Sequence, residues 1–240
     1  MKRKWILLKI LLGLIVLVSL LSFSNHLYET RELMKIDDKI DYSEGIYFIN
    51  DKVVENTLKS THPDYPKMQA QRISIKAMED RLNANPHIKR AQVYLENNGV
   101  LHTEIEQEIP VARVKNGNKE FYITKDATQI PLCKDFSAKV LMINGKILPE
   151  EYKKIVHLTH LINDDNLLKK HIIGMQKNGE NSFILLVDDG TYVLDLGNLE
   201  NLDRKLRNFK VFHQEFIEKN AEMPYNKLSL RYSNQVVASK

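Results

Sequence analysis

Cysteine is nearly missing from this sequence. Cys133 is the one copy in 240 residues, so no intramolecular disulfide can form and no paired Cys-x-x-Cys motif exists. Glycine and proline are scarce too, at nine and seven, which excludes a low-complexity linker. Acidic residues are absent before residue 25, whereas Lys2, Arg3, Lys4 and Lys9 all lie there. Taking those four from the 35 basic residues leaves 31, matched by 31 Asp and Glu. The rest of the chain therefore lacks net charge, and with it the basic footprint that nucleic-acid binding needs. Also missing are Gly-x-Ser-x-Gly, His-Glu-x-x-His and the Walker phosphate loop, the signatures of common hydrolases and nucleotide enzymes. There is no internal repeat.

What remains is ordinary globular composition, 43% hydrophobic and 28% charged, enough for one or two cores. The exception is the N-terminus. From Trp5 to Phe23 the chain is apolar apart from Lys9, Gly13, Ser19 and Ser22. As a helix this stretch spans about 28 Å, close to the hydrocarbon thickness of a bilayer. The basic residues before it place the N-terminus in the cytoplasm and residues 25–240 outside. The competing reading is a cleaved leader, with Ser22-Phe23-Ser24 at a plausible cleavage spacing. The apolar core is long for a leader and no Ala-x-Ala site is present, which favours an uncleaved anchor. Either way the body is exported. Without disulfides it must rely on a hydrophobic core, in which Cys133 is a small packed residue.

The segment 74–113 organises the first part of the body. Ser74 is a good N-cap for a helix that sets Ile75, Met78 and Leu82 on one face. Asn83-Ala84-Asn85-Pro86 ends the helix, because proline forces its predecessor out of the α region. Two alternating strands follow around Asn97-Asn98-Gly99. A two-residue turn at Asn98-Gly99 would set Leu95 against His102 and mix the faces. A three-residue loop with a left-handed Gly99 sets Leu95 against Leu101, Val93 against Thr103 and Ala91 against Ile105. The other face then pairs Tyr94 with His102, Gln92 with Glu104 and Arg90 with Glu106. One face is core and the other is wet.

Upstream, residues 33–40 and 46–49 read as extended pieces, and Asn50 or Asp51 can cap a helix carrying Val53, Val54 and Leu58. His62-Pro63-Asp64-Tyr65-Pro66 is a loop. The order is β-α-α-β-β. Beyond Pro110 strands and tight turns dominate: 121–124 and 128–132 flank Lys125-Asp126, and 140–143 precedes Asn144-Gly145. Pro149 suits a first helical position, and Tyr152, Ile155, Val156, Thr159 and Ile162 make that helix's buried stripe. Strands follow at 172–176, 183–187 and 192–196, the last two joined across Asp188-Asp189-Gly190. A helix over 201–218 buries Leu202, Leu206, Phe209 and Phe216, and an extended run over 227–238 closes the chain. The fold class is α+β: an N-terminal transmembrane helix, a β-α-α-β-β domain, then a β-rich domain with helices packed on an antiparallel sheet. The boundaries are 1–4 for a cytoplasmic tail, 5–24 for the anchor, and 33–110 and 111–240 for the two domains.

Three polar clusters invite a catalytic or metal reading. His157, His160 and Asp164 share one helical face, but on the side away from Ile155 and Ile162, which makes it a solvated face. His102, Glu104, Glu106 and Glu108 alternate along one strand, where side chains two apart diverge by about 7 Å and do not converge on an ion. Asp188 and Asp189 are adjacent turn residues that point apart, unlike the paired carboxylates of a glycosidase. No catalytic residue, metal site or cofactor is expected.

Taken together, these stretches resemble the FtsQ/DivIB family of bacterial cell-division proteins. Residues 78–93 (MEDRLNANPHIKRAQV) are similar to the family's helix-Asn-Pro-strand signature, and 99–113 (GVLHTEIEQEIPVAR) to the next strand and its Pro-x-Ala exit. Residues 121–132 (FYITKDATQIPL) look like the hairpin opening its β domain, and 230–238 (LRYSNQVVA) like its closing strand. The resemblance implies that the first domain is a POTRA domain. It also implies a non-enzymatic, single-pass (type II) scaffold of the divisome in the bacterial inner membrane, concentrated at the septum. Its implied partners are small coiled-coil proteins of the FtsB/DivIC and FtsL types, the septal synthase complex and other divisome members. The closing strand would accept a partner strand, placing Leu230, Arg231, Tyr232, Asn234 and Gln235 at the contact. On the POTRA domain the wet face of Arg90, Tyr94, His102, Glu104 and Glu106 is the candidate surface. Two other functions compete. A POTRA-type transport chaperone would precede barrel strands, which are missing; a membrane-anchored cell-wall hydrolase would need a nucleophile or metal site that the residues do not assemble.

Overall fold

The computed structural model describes residues 2–29, 35–61, 73–188, 190–219, 223–233 and 235–240. Helix α1 (Lys2–Glu29) comes first, 28 residues long. Trp5 and its apolar residues from Ile10 to Phe23 are exposed. Among the described residues no helix is long and apolar enough to cross a membrane. The chain divides into two compact units, Met1–Gln107 and Glu108–Lys240.

The first unit contains β1 (Lys35–Ile40), α2 (Asp51–Thr61), α3 (Ile75–Asn83), β2 (Ile88–Leu95) and β3 (Val100–Gln107). Asn50 caps α2 by accepting from the Val53 N–H at 3.1 Å, and Ser74 caps α3 by accepting from the Ala77 N–H at 3.4 Å. Helix α2 buries Val54 and Leu58, α3 buries Met78 and Leu82, and Ala91, Val93, Leu101 and Ile105 of the sheet are buried as well. The sheet order is β1-β3-β2, with β1 parallel to β3. The β2–β3 register is the expected one at every pair named above, from Arg90 against Glu106 to Leu95 against Leu101. Gly99 takes a φ of 86° in the connecting loop. The sequence 46–49 is not a strand. Instead Gln107, 3% exposed, reaches across: its Oε1 accepts from the Ile49 N–H at 2.8 Å, while its Nε2 donates to the carbonyls of Ile46 (2.9 Å) and Asp41 (2.8 Å). One side chain satisfies the backbone that a strand partner would have satisfied, which lets Ile46, Phe48 and Ile49 stay buried. The loop expected over 62–66 lies outside the described residues.

The second unit is a nine-stranded sheet in the order β12-β11-β10-β9-β8-β7-β4-β5-β6. The strands are β4 (Pro110–Asn116), β5 (Lys119–Thr124), β6 (Gln129–Pro131), β7 (Leu141–Asn144), β8 (Ile172–Lys177), β9 (Phe183–Val187), β10 (Val193–Gly197), β11 (Lys227–Ser229) and β12 (Val237–Ser239). The expectation of an antiparallel sheet is corrected here, because the sheet is mixed. Pairs β4–β7, β7–β8 and β10–β11 are parallel. Parallel neighbours require a crossover. The β7–β8 connection carries α4 (Tyr152–Asn163) and α5 (Asn166–His171), and the β10–β11 connection carries α6 (Leu202–Phe212). The expected stripe on α4 is buried, with Leu158 added to it. It packs in one core with Ala112, Val114, Ile143, Leu185, Leu194, Leu206 and Phe209. A five-residue π turn, His213–Ile217, extends α6, and Phe216 within it is half-buried.

Glycine is required where β7 ends. Gly145 has a φ of +118°, and a Cβ there would fall 2.9 Å from the Lys177 carbonyl oxygen. Lys177 itself is held by Glu151, whose two oxygens accept from Nζ at 2.7 and 2.8 Å. That pair is 5% and 11% exposed.

Candidate partner-binding surfaces

On the first unit, alternation along β2 and β3 delivers Arg90, Tyr94, His102, Glu104 and Glu106 to one face. The rings of Tyr94 and His102 stack with centroids 4.9 Å apart at 15°. His102 lies between two acids, with Asp37 Oδ2 at 3.3 Å from Nδ1 and Glu96 Oε1 at 3.2 Å from Nε2. Desolvation and the nearby Glu104 carboxylate push the Tyr94 hydroxyl above its ordinary value. The ion pair to Glu106 comes from Lys89 (3.2 Å) rather than from Arg90, because the register shift between Ile88 and Arg90 brings Lys89 to that face. Glu104 pairs with Lys39 of β1 at 3.8 Å.

Strand β2 is an edge of this sheet, yet α3 closes it. Asn83 Oδ1 accepts from the Ala91 N–H at 2.8 Å and its Nδ2 donates to the Ala91 carbonyl at 3.2 Å. Glu79 Oε1 accepts from the Val93 N–H at 3.0 Å. An incoming strand at β2 would have to displace both side chains.

On the second unit the two sheet edges differ. Strand β6 has three residues and carries Pro131, which has no N–H to donate. The other edge is β12. The run over 227–238, expected as one extended strand, is a small hairpin: β11 pairs antiparallel with β12, Lys227 opposite Ser239 and Ser229 opposite Val237. In the sequence, polar Ser233-Asn234-Gln235 breaks the apolar alternation. Leu230 is 1% exposed and belongs to the core. Tyr232, 51% exposed, and Gln235, also exposed, lie on the connecting loop; Asn234 lies outside the described residues. Arg231 is engaged within its own unit, its Nε donating to Asp195 Oδ1 at 2.9 Å and an Nη to Ser182 Oγ at 3.2 Å.

Asp195 was not singled out from the sequence, although an acid inside the apolar run 192–196 was a visible signal. It is 2% exposed. Its other oxygen lies 2.8 Å from Lys227 Nζ. Burial pushes its carboxyl up, but Lys227, Arg231 and the Gly197 N–H pull harder, and the net result lies below the ordinary value. His157 Nε2 lies 2.9 Å from Asp203 Oδ2 on α6, and His160 and Asp164 are exposed. Asp188 is exposed in its turn, and Asp189 lies outside the described residues. Cys133 is half-buried. Among the described residues no group of three or more metal-ligating side chains could hold an ion.

The arrangement is that of an α+β protein: a POTRA-like unit followed by a β-rich unit with helices on its sheet. The family model described as a POTRA-like domain matches residues 34–106, and the model described as FtsQ/DivIB, C-terminal related, matches residues 109–239. The chain belongs to the FtsQ/DivIB family of bacterial cell-division proteins. Among solved structures it is similar to the major extracytoplasmic domain of the trans isomer of the bacterial cell division protein DivIB from Geobacillus stearothermophilus. That likeness has 10% identity and a TM-score of 0.34, over 49% of this chain and 99% of the other. Comparison with curated proteins finds no match.

Proposed function

We propose that this protein is a non-enzymatic, membrane-anchored scaffold of the bacterial division machinery. It recruits and coordinates late division proteins at the septum through its POTRA-like and β-rich units. The observation that carries this reading is the C-terminal edge: among the described residues β12 ends the order of the nine-stranded sheet, whose other edge, β6, is blunted by Pro131, while in the first unit's sheet, which ends on β1 and β2, β2 is covered by Asn83 and Glu79. Strand addition gives affinity through backbone hydrogen bonds, and neighbouring side chains such as Tyr232 and Gln235 give selectivity. The partner is a small coiled-coil division protein that adds a strand to β12. The anchor is the apolar run 5–24 of α1, with Lys2, Arg3 and Lys4 on the cytoplasmic side and both units exported. The wet face of Arg90, Tyr94, His102, Glu104 and Glu106 is a second contact surface for other division proteins.

Depletion tests this reading. Cells losing the protein are expected to grow as filaments with unfinished septa, and normal division after depletion would contradict it.

A further inference from the structure

The terminal hairpin has little backbone ladder to hold it. Strands β11 and β12 have three residues each, and β11 joins β10 over three paired positions. Isolated two-stranded ribbons are marginal in water. Asp195 supplies what the ladder lacks. Its Oδ2 lies 2.8 Å from Lys227 Nζ, at the first residue of β11. Its Oδ1 accepts from Arg231 Nε at 2.9 Å, two residues past the end of β11, and from the Gly197 N–H at 2.9 Å. Its backbone carbonyl accepts from the Leu230 N–H at 2.8 Å. One residue therefore grips β11 at both ends. Gly197 makes room for this: at a φ of +63°, a Cβ there would lie 3.0 Å from Arg231 Cγ. The Asp195 side chain is 3% exposed, while Lys227 and Arg231 are 42% and 49% exposed. The cations can follow a detaching hairpin into water, but the carboxylate cannot.

We propose that Asp195 is an ionic lock that docks the β11–β12 hairpin on the sheet and so decides whether β12 is displayed as an edge. This deepens the partner-edge reading and rests on it for its consequence, though not for its test. Removing the carboxylate charge leaves Lys227 and Arg231 facing each other across the site, with Lys205 of α6 adding to the positive field. Because the paired cations hold the Asp195 carboxyl below its ordinary value of 3.8, the lock stays closed across the neutral range and opens only in acid. A buried carboxylate is also poorly screened, so moderate salt leaves the hairpin docked.

The test is amide hydrogen exchange on the full chain, comparing the wild type with Asp195→Asn. Exchange across 227–239 is expected to rise at least about tenfold, in keeping with loss of charge-assisted hydrogen bonds, while 172–187 on β8 and β9 keeps its protection. The double variant Lys227→Gln/Arg231→Gln, which changes half-exposed residues, decides the matter if Asp195→Asn does not fold. Unchanged exchange at 227–239, or an equal rise at 172–187, would overturn the lock. Partner capture retained by an Asp195→Asn chain whose hairpin has lost its protection would instead fault the partner-edge reading and leave the lock standing.

Discussion

Asn83 holds Ala91 with both ends of its side-chain amide, accepting from the N–H at 2.8 Å and donating to the carbonyl at 3.2 Å. In the sequence Asn83 reads as part of a helix stop. In the fold it completes the backbone of an edge strand, a role set by a contact eight residues along the chain that periodicity does not reveal. Asn83→Ala is expected to leave two groups of β2 without their partner and to cost roughly 1–3 kcal/mol, measured as a lower urea midpoint. With Glu79→Ala added, the exposed edge should also give more concentration-dependent self-association in sedimentation than the parent shows.

Gln107 anchors the segment 46–49 through three hydrogen bonds. Gln107→Ala removes them together and leaves buried backbone groups unsatisfied, at a cost of roughly 3 kcal/mol or more. The melting temperature should fall, and the Ile49 amide should lose its exchange protection. Protection retained at Ile49 would mean that the apolar side chains alone hold the segment.

His213 carries a pH dependence of definite sign. Burial and the neighbouring His171, whose Nε2 lies 3.1 Å away, pull its imidazole below the ordinary value of 6.5; Glu218 acts the other way without prevailing. The folded protein therefore holds His213 neutral more firmly than the unfolded chain does. The stability it contributes is complete above about pH 6.5 and declines as pH falls below it. The urea midpoint of the second unit should be lower at about pH 5.5 than at about pH 7.5, and His213→Phe should remove part of that difference. An undiminished difference in the variant would assign the pH dependence to other groups.

The β2–β3 register was legible because period-two alternation admits one loop length that keeps Leu95, Val93 and Ala91 on a common face. The buried stripe of α4 was legible for the corresponding helical reason. Less legible were features made by single polar side chains reaching across the fold. Gln107 replaces a strand at 46–49, and Asp195 ties down the Arg231 guanidinium. The closing run misled because Lys227-Leu228-Ser229-Leu230-Arg231 alternates like the start of a long strand, whereas the chain turns after it. Two of the parallel pairs of the large sheet, β7–β8 and β10–β11, are set by which strands the helical crossovers bring together, and β4–β7 by a connection through β5 and β6, information that local pattern does not hold.

The most direct test of the account is site-specific photo-crosslinking in dividing cells, with the probe at Val237 on β12 and, for comparison, at Gln129 on β6. The account predicts crosslinks from Val237 to a small coiled-coil division protein and none from Gln129. Equal crosslinking from the two edges, or none from Val237 in cells with active septa, would contradict it.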